Sequence, residues 1–129
     1  MPLLNHISFG TTDLGPSGIF YDATLATLGY RRVCASEYFI GWGLVDDQDA
    51  FALKLRKPHE VQIPGDGFHL AFTAPSRKAV DEFYRAAMSH GGKDNGGSGL
   101  HPEYGENYYA AFVFDPDGYR IEAVCHGPA

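Results

Sequence analysis

The sequence predicts an α+β domain made of two tandem β-α-β-β-β modules, a curved, mostly antiparallel sheet around a cavity with the helices on its outer face. Three observations carry that reading. The chain has 129 residues, which at about 150 residues per domain makes one domain. It contains an internal repeat: a shift of 63 positions sets His6 on His69, Phe9 on Phe72, Phe20 on Phe83, Tyr21 on Tyr84, Ala23 on Ala86 and Gly29 on Gly92 without a gap. Further along, a shift of 69 sets Asp46 on Asp115, and the extra residues fit within the glycine-rich stretch 93–102. Finally, each half spells the same order of elements. A single domain over residues 1–129 then divides into a first module at about 1–57, a linker at about 58–66 and a second module at about 67–126.

The elements follow in order. Residues 3–10 and 68–74 are short, apolar and aromatic runs closed by turn formers, which read as strands. A helix follows each. In the first half Asp13 or Ser17 can cap it, Pro16 suits its first turn, and Leu14, Gly18, Tyr21, Leu25 and Leu28 share one face before Gly29 stops it. In the second half Ser76 caps, Val80, Phe83, Tyr84, Ala87 and Met88 form the apolar stripe, and Gly91 and Gly92 end it. Strand-like segments at 30–35, 38–45 and 50–56 complete the first module. In the second, 107–114 and 119–125 are joined by the turn Asp115-Pro116-Asp117-Gly118, with a further strand near Lys93. Between the halves, residues 58–67 hold two prolines and two glycines, the composition of a linker.

Composition narrows the function. Ten Lys and Arg against sixteen Asp and Glu give a net charge of −6, opposite to what phosphate neutralisation on nucleic acid or an anionic membrane surface requires. There is no apolar run of the length that spans a bilayer and no basic-then-apolar leader. Cys34 and Cys125 are isolated, without metal-ligand or disulfide-scaffold spacing. A reducing cytoplasm is the expectation, with no nucleic-acid or membrane partner.

Strand alternation singles out three polar groups. Side chains along a strand point to opposite faces in turn. His6 lies opposite Ile7 and Phe9, and His69 lies opposite Phe68, Leu70 and Phe72. Both histidines therefore turn away from the helix layer, among small residues. Glu122 alternates with Ile121 and Ala123 and can face the same side. A single strand histidine is commonly a hydrogen-bonded structural residue, and a single glutamate commonly a solvated edge residue. Two histidines at equivalent places of a repeat, with a carboxylate from a third strand, instead make the two-His-one-carboxylate set that holds a dication with open positions.

This arrangement resembles the vicinal oxygen chelate superfamily, the glyoxalase, bleomycin-resistance and extradiol dioxygenase group. The resemblance rests on Asn5-His6-Ile7-Ser8 and Phe68-His69-Leu70-Ala71-Phe72 opening the two halves. Its most specific part is the ending Asp115-Pro116-Asp117-Gly118-Tyr119-Arg120-Ile121-Glu122. It covers essentially the whole chain, and the stretch from Asp94 to Gly127 is similar to a small glyoxalase-like subgroup. The resemblance implies a divalent metal (Fe, Mn, Zn or Ni) at His6, His69 and Glu122, a small-molecule substrate with two adjacent oxygens, and a homodimer, in which the halves of one site come from one chain or from two. Members with glyoxalase I activity add a fourth ligand or base in the first half, where the shift of 69 places Leu53. Leucine cannot serve, which argues against efficient glyoxalase I chemistry.

Proton handling falls to residues in or after the glycine-rich stretch: Tyr109, Tyr104 and His101 are the candidate catalytic groups, with Tyr108 a further part of an aromatic wall. Two functions remain open. One is a metal-dependent isomerase, lyase or dioxygenase. The other is a non-catalytic protein that sequesters a small molecule, as bleomycin-resistance relatives do.

Overall fold

The computed structural model describes residues 2–129; Met1, the first residue of the expected first module, lies outside the described residues. The elements run β1 (Ile7–Thr11), α1 (Leu14–Ala26), β2 (Arg31–Ala35), β3 (Phe39–Val45), β4 (Gln48–Leu55), a 3-10 turn (Pro58–Glu60), β5 (Leu70–Thr73), α2 (Arg77–Ser89), β6 (Lys93–Leu100), β7 (Tyr109–Phe114) and β8 (Arg120–Cys125). This is the β-α-β-β-β order twice. The strands form two four-stranded sheets, ordered β1-β4-β3-β2 and β5-β8-β7-β6. In each, the strand before the helix pairs parallel with the last strand and the other pairs are antiparallel. The sheets are thus mixed and separate rather than closed around one cavity.

Local chemistry explains the helix ends. The Asp13 carboxylate accepts from the Gly15 N–H at 2.9 Å, and the Ser76 hydroxyl accepts from the Ala79 N–H at 3.0 Å, each satisfying an amide that the helix leaves without a partner. Gly29 follows α1 at φ +89°, a conformation that costs a side-chain-bearing residue free energy. The glycine-rich stretch after α2 is strand rather than loop over most of its length. Asp94 makes this possible by accepting from the Gly96 and Gly97 amides at 3.1 and 2.7 Å, across a bulge where β6 pairs with β7.

Alternation places one side of each sheet in a common core. Phe9, Phe51 and Leu53 from the first sheet join Val113, Ile121 and Ala123 from the second, with Phe20, Tyr21 and Leu25 of α1 and Val80, Phe83 and Ala87 of α2. The modules are fastened across this core. The Phe9 and Tyr119 rings stack with centroids 4.1 Å apart, and Phe51 meets Phe72 edge-on at 5.5 Å. Three hydrogen bonds run from the β7–β8 turn and its flank into the first module. Tyr21 donates to Asp115 at 2.6 Å, Ser17 to Asp117 at 3.1 Å, and Tyr119 to the Gly10 carbonyl at 2.8 Å. The helix-covered faces therefore look toward one shared interior, and the opposite face of the second sheet carries Glu122 with His69 beside it.

Candidate functional site

Pairing between β7 and β8 sets the floor of the site. Phe112 pairs with Glu122, and Phe114 with Arg120, so these side chains share the face of the second sheet turned away from the helices. His69, just before β5, reaches the same face. Its Nε2 stands 3.0 Å from Glu122 Oε1, without the alignment a hydrogen bond needs. The Glu122 side chain is fully buried at 0% exposure, whereas the His69 side chain is half exposed. Tyr108 donates a hydrogen bond to the other carboxylate oxygen, Oε2. Burial first, and that bond to Glu122 second, push the Tyr108 phenol well above its ordinary pKa, so it holds its proton and acts as a donor. Oε1 is left buried with no hydrogen-bond donor.

That pattern fits a metal. Two ligands each about 2.1 Å from one ion and at right angles to each other lie about 3 Å apart, which matches the separation of His69 Nε2 and Glu122 Oε1. An orphaned buried carboxylate oxygen costs roughly 1–3 kcal/mol or more unless a cation or donor reaches it. The Tyr108 hydrogen bond to Oε2 is of the kind that would orient the carboxylate if Oε1 held an ion.

The third expected ligand is elsewhere. His6 is exposed, precedes β1 rather than lying within it, and bonds to Asn5 through Nδ1 at 2.7 Å. It lines a groove with Leu4, Ile7 and β5 residues Ala71 to Thr73, while His69 and Glu122 line another with Tyr104, Tyr108 and Phe112. Among the described residues, no three His, Cys, Asp or Glu side chains gather closely enough to hold an ion. One chain thus brings together two of the three expected ligands.

The aromatic candidates separate by strand face. Tyr104 lies at the mouth of the His69–Glu122 groove, 64% exposed, its ring 5.3 Å from that of Tyr108. His101 sits behind it, edge-on to Phe112 at 5.0 Å and within 3.5 Å of Glu103. Tyr109 turns to the helix side, where its hydroxyl donates to Asp81 at 2.7 Å and Arg77 lies over its ring. Tyr108, not Tyr109, is the tyrosine on Glu122. Two steps of alternation back from Phe112, which pairs with Glu122, lead through Ala110 to Tyr108, so the strand register singles it out.

Register also relocates the counterpart of Glu122 in the first module. Ala71 pairs with Glu122, and its repeat-mate Ser8 pairs with Ala52. Leu53 lies in the helix-side core, fully buried. The shift of 69, anchored on turns of unequal length, missed by one residue, and one residue flips the face. The correct counterpart, Ala52, offers neither a ligand nor a base.

The chain matches the model of the Glyoxalase/Bleomycin resistance protein/Dioxygenase superfamily over residues 3–123. It belongs to that superfamily. Among solved structures, a glyoxalase/bleomycin resistance protein from Albidiferax ferrireducens T118 is similar, with 29% identity, a TM-score of 0.82 and coverage of 95% of this chain and 98% of that one. A glyoxalase-related enzyme from Fulvimarina pelagi shares the fold at 21% identity and TM-score 0.72, covering 96% and 88%. So does a genomically encoded fosfomycin resistance protein from Listeria monocytogenes, at 15% identity and TM-score 0.68, covering 96% and 93%. Among curated proteins, none matches the chain. No helix among the described residues is long and apolar enough to cross a membrane.

Proposed function

We propose that this superfamily member is a divalent-metal-dependent enzyme acting on a small molecule with two adjacent oxygens, by isomerase, lyase or dioxygenase chemistry. One observation carries the reading: the buried Glu122 Oε1, with no donor of its own, facing His69 Nε2 at 3.0 Å. His69 and Glu122 would hold the ion, and His6 would complete the set from a second copy of the chain, since within one chain it lies in a different groove. A bound dication supplies Lewis acidity for negative charge developing on substrate oxygens. Exposed apolar side chains beside the ligands, Leu3 and Leu4 near His6 and Phe68 near His69, support a partner surface there.

This chain's own residues do the rest. Tyr108 keeps its proton, donates a hydrogen bond to Glu122 Oε2 and so orients the carboxylate. Phe112 forms an apolar floor that excludes water. Tyr104, at the mouth, is placed to give or take a proton at its hydroxyl. Tyr109, with its hydroxyl committed to Asp81, has no part. Efficient glyoxalase I-type isomerisation is not expected of it, because Ala52 cannot act as base and losing a placed base costs roughly 10²–10⁴ in rate.

Metal analysis of protein purified without chelator tests the reading. Near-stoichiometric metal, lost in His6→Ala and in Glu122→Ala, is the expected result. No metal after incubation with iron, manganese, zinc or nickel would overturn it in favour of a sequestering protein of the bleomycin-resistance type.

A further inference from the structure

Arg120 lies two residues from Glu122 on the same face of β8. Its guanidinium is held from two sides: the carbon lies 5.3 Å from the centre of the Phe114 ring, and Nη1 donates to the Pro64 carbonyl at 3.1 Å. A guanidinium carries five N–H donors, so this anchoring leaves most of the fork available. Among the described residues Arg120 makes no ion pair. Asp66 lines the same cavity without reaching ion-pair distance of it. That cavity, about 420 Å³, joins Arg120 to His69, Asn95, Tyr104 and Phe112. In a chain of net charge −6, an anchored and unneutralised cation lines a cavity that adjoins the His69–Glu122 groove and shares His69, Tyr104 and Phe112 with it.

We propose that Arg120 is an anion-binding subsite of the His69–Glu122 site, so that the natural ligand carries a carboxylate or phosphate in addition to its chelating oxygens. The proposal rests on the metal-site reading and deepens it by naming a substrate class. Side chains two residues apart on one strand face are separated by about 7 Å. The anionic group therefore sits several bonds from the chelating oxygens, at the end of a short chain, rather than next to them. Arginine suits this role because its planar fork meets both oxygens of a carboxylate at once, which lysine cannot do.

A matched pair of probes tests it. 2-Hydroxyglutarate and 2-hydroxypentanoate share the same hydroxy-acid end and the same five-carbon chain, and differ in a terminal carboxylate against a methyl group. Calorimetric titration of the full-length protein, with manganese and again without metal, should give about tenfold or greater preference for 2-hydroxyglutarate. Arg120→Met should abolish the preference while leaving 2-hydroxypentanoate affinity unchanged, and Arg120→Lys should retain part of it. A role confined to clamping the linker would alter melting temperature but not this ratio. Equal affinities in the wild type, or a preference that survives Arg120→Met, would overturn the subsite. Titration with manganese alone separates the two ideas. Failure to bind manganese, and likewise iron, zinc and nickel, with the charge preference intact, would sink the metal reading and not the subsite.

Discussion

At the scale of single residues, the behaviour of Glu122 follows from how its two oxygens are treated. Oε2 has Tyr108 as donor and Oε1 has none, in a side chain removed from water. Tyr108→Phe removes the orienting bond and leaves a second buried oxygen without a donor. We expect metal affinity to fall about 10–100-fold, read by titration with zinc or manganese, while Tyr109→Phe leaves it unchanged. Stability is also expected to drop by roughly 1–3 kcal/mol in the metal-free Tyr108→Phe protein, measured by urea unfolding. Alternation along 107–114 leads to Tyr108 only once Phe112 is known to pair with Glu122. That pairing is a tertiary fact, because the turn between β7 and β8 does not fix its own register.

At the scale of elements, the β7–β8 turn is both hairpin and clamp. Asp115 accepts from the Asp117 and Tyr119 amides, each at 2.9 Å, and from Tyr21 of the other module. Burial raises its pKa to about 6 against the pull of those donors. A carboxyl raised in the folded state contributes stability that is complete below its unfolded pKa and fades as pH climbs through the folded value. Stability should therefore decline from about pH 4 to about pH 6 through this group. In Asp115→Asn, which keeps the amide acceptor and can donate to Tyr21, that component of the decline should vanish in thermal melts across the window. A second element-level test concerns β3. A methyl at Gly41 would meet Cys34 Sγ at 2.6 Å and Asp49 Cβ at 2.7 Å, so Gly41→Ala should destabilise by about 1–3 kcal/mol, read from denaturant midpoints. The order of elements along the chain and the Ser76 cap were readable in the residues, and Asp13 was one of two candidates for the other cap. The extent of α1 burial was not readable: Ser17, Thr24 and Phe20 lie outside the expected stripe and are buried too, because the second module covers a further side of that helix.

For the whole molecule, the separation of His6 from His69 and Glu122 makes assembly the deciding matter. Each sheet ends in edge strands, and exposed apolar residues lie beside His6 and His69, a surface that a second copy would cover in the proposed assembly. Light scattering should report a dimer at micromolar concentration. Mixing His6→Ala with Glu122→Ala after partial unfolding and refolding should restore metal binding that neither variant has alone, because one hybrid site regains all three ligands. A site completed within one chain would show no such rescue.

What the amino-acid order determined alone is the doubled β-α-β-β-β plan, its caps and turns, and the side of each strand on which His69 and Glu122 lie. These depend on local periodicity and on an internal repeat, which need no knowledge of distant contacts. Tertiary structure alone decided that Ala52 rather than Leu53 opposes Glu122 in the repeat, that Tyr108 rather than Tyr109 holds the carboxylate, and that His6 stands in a separate groove. Each of those turns on strand register or on how two modules pack. Register shifts by one residue when a bulge or a turn changes length, and module packing comes from apolar faces whose partners lie far away in the chain.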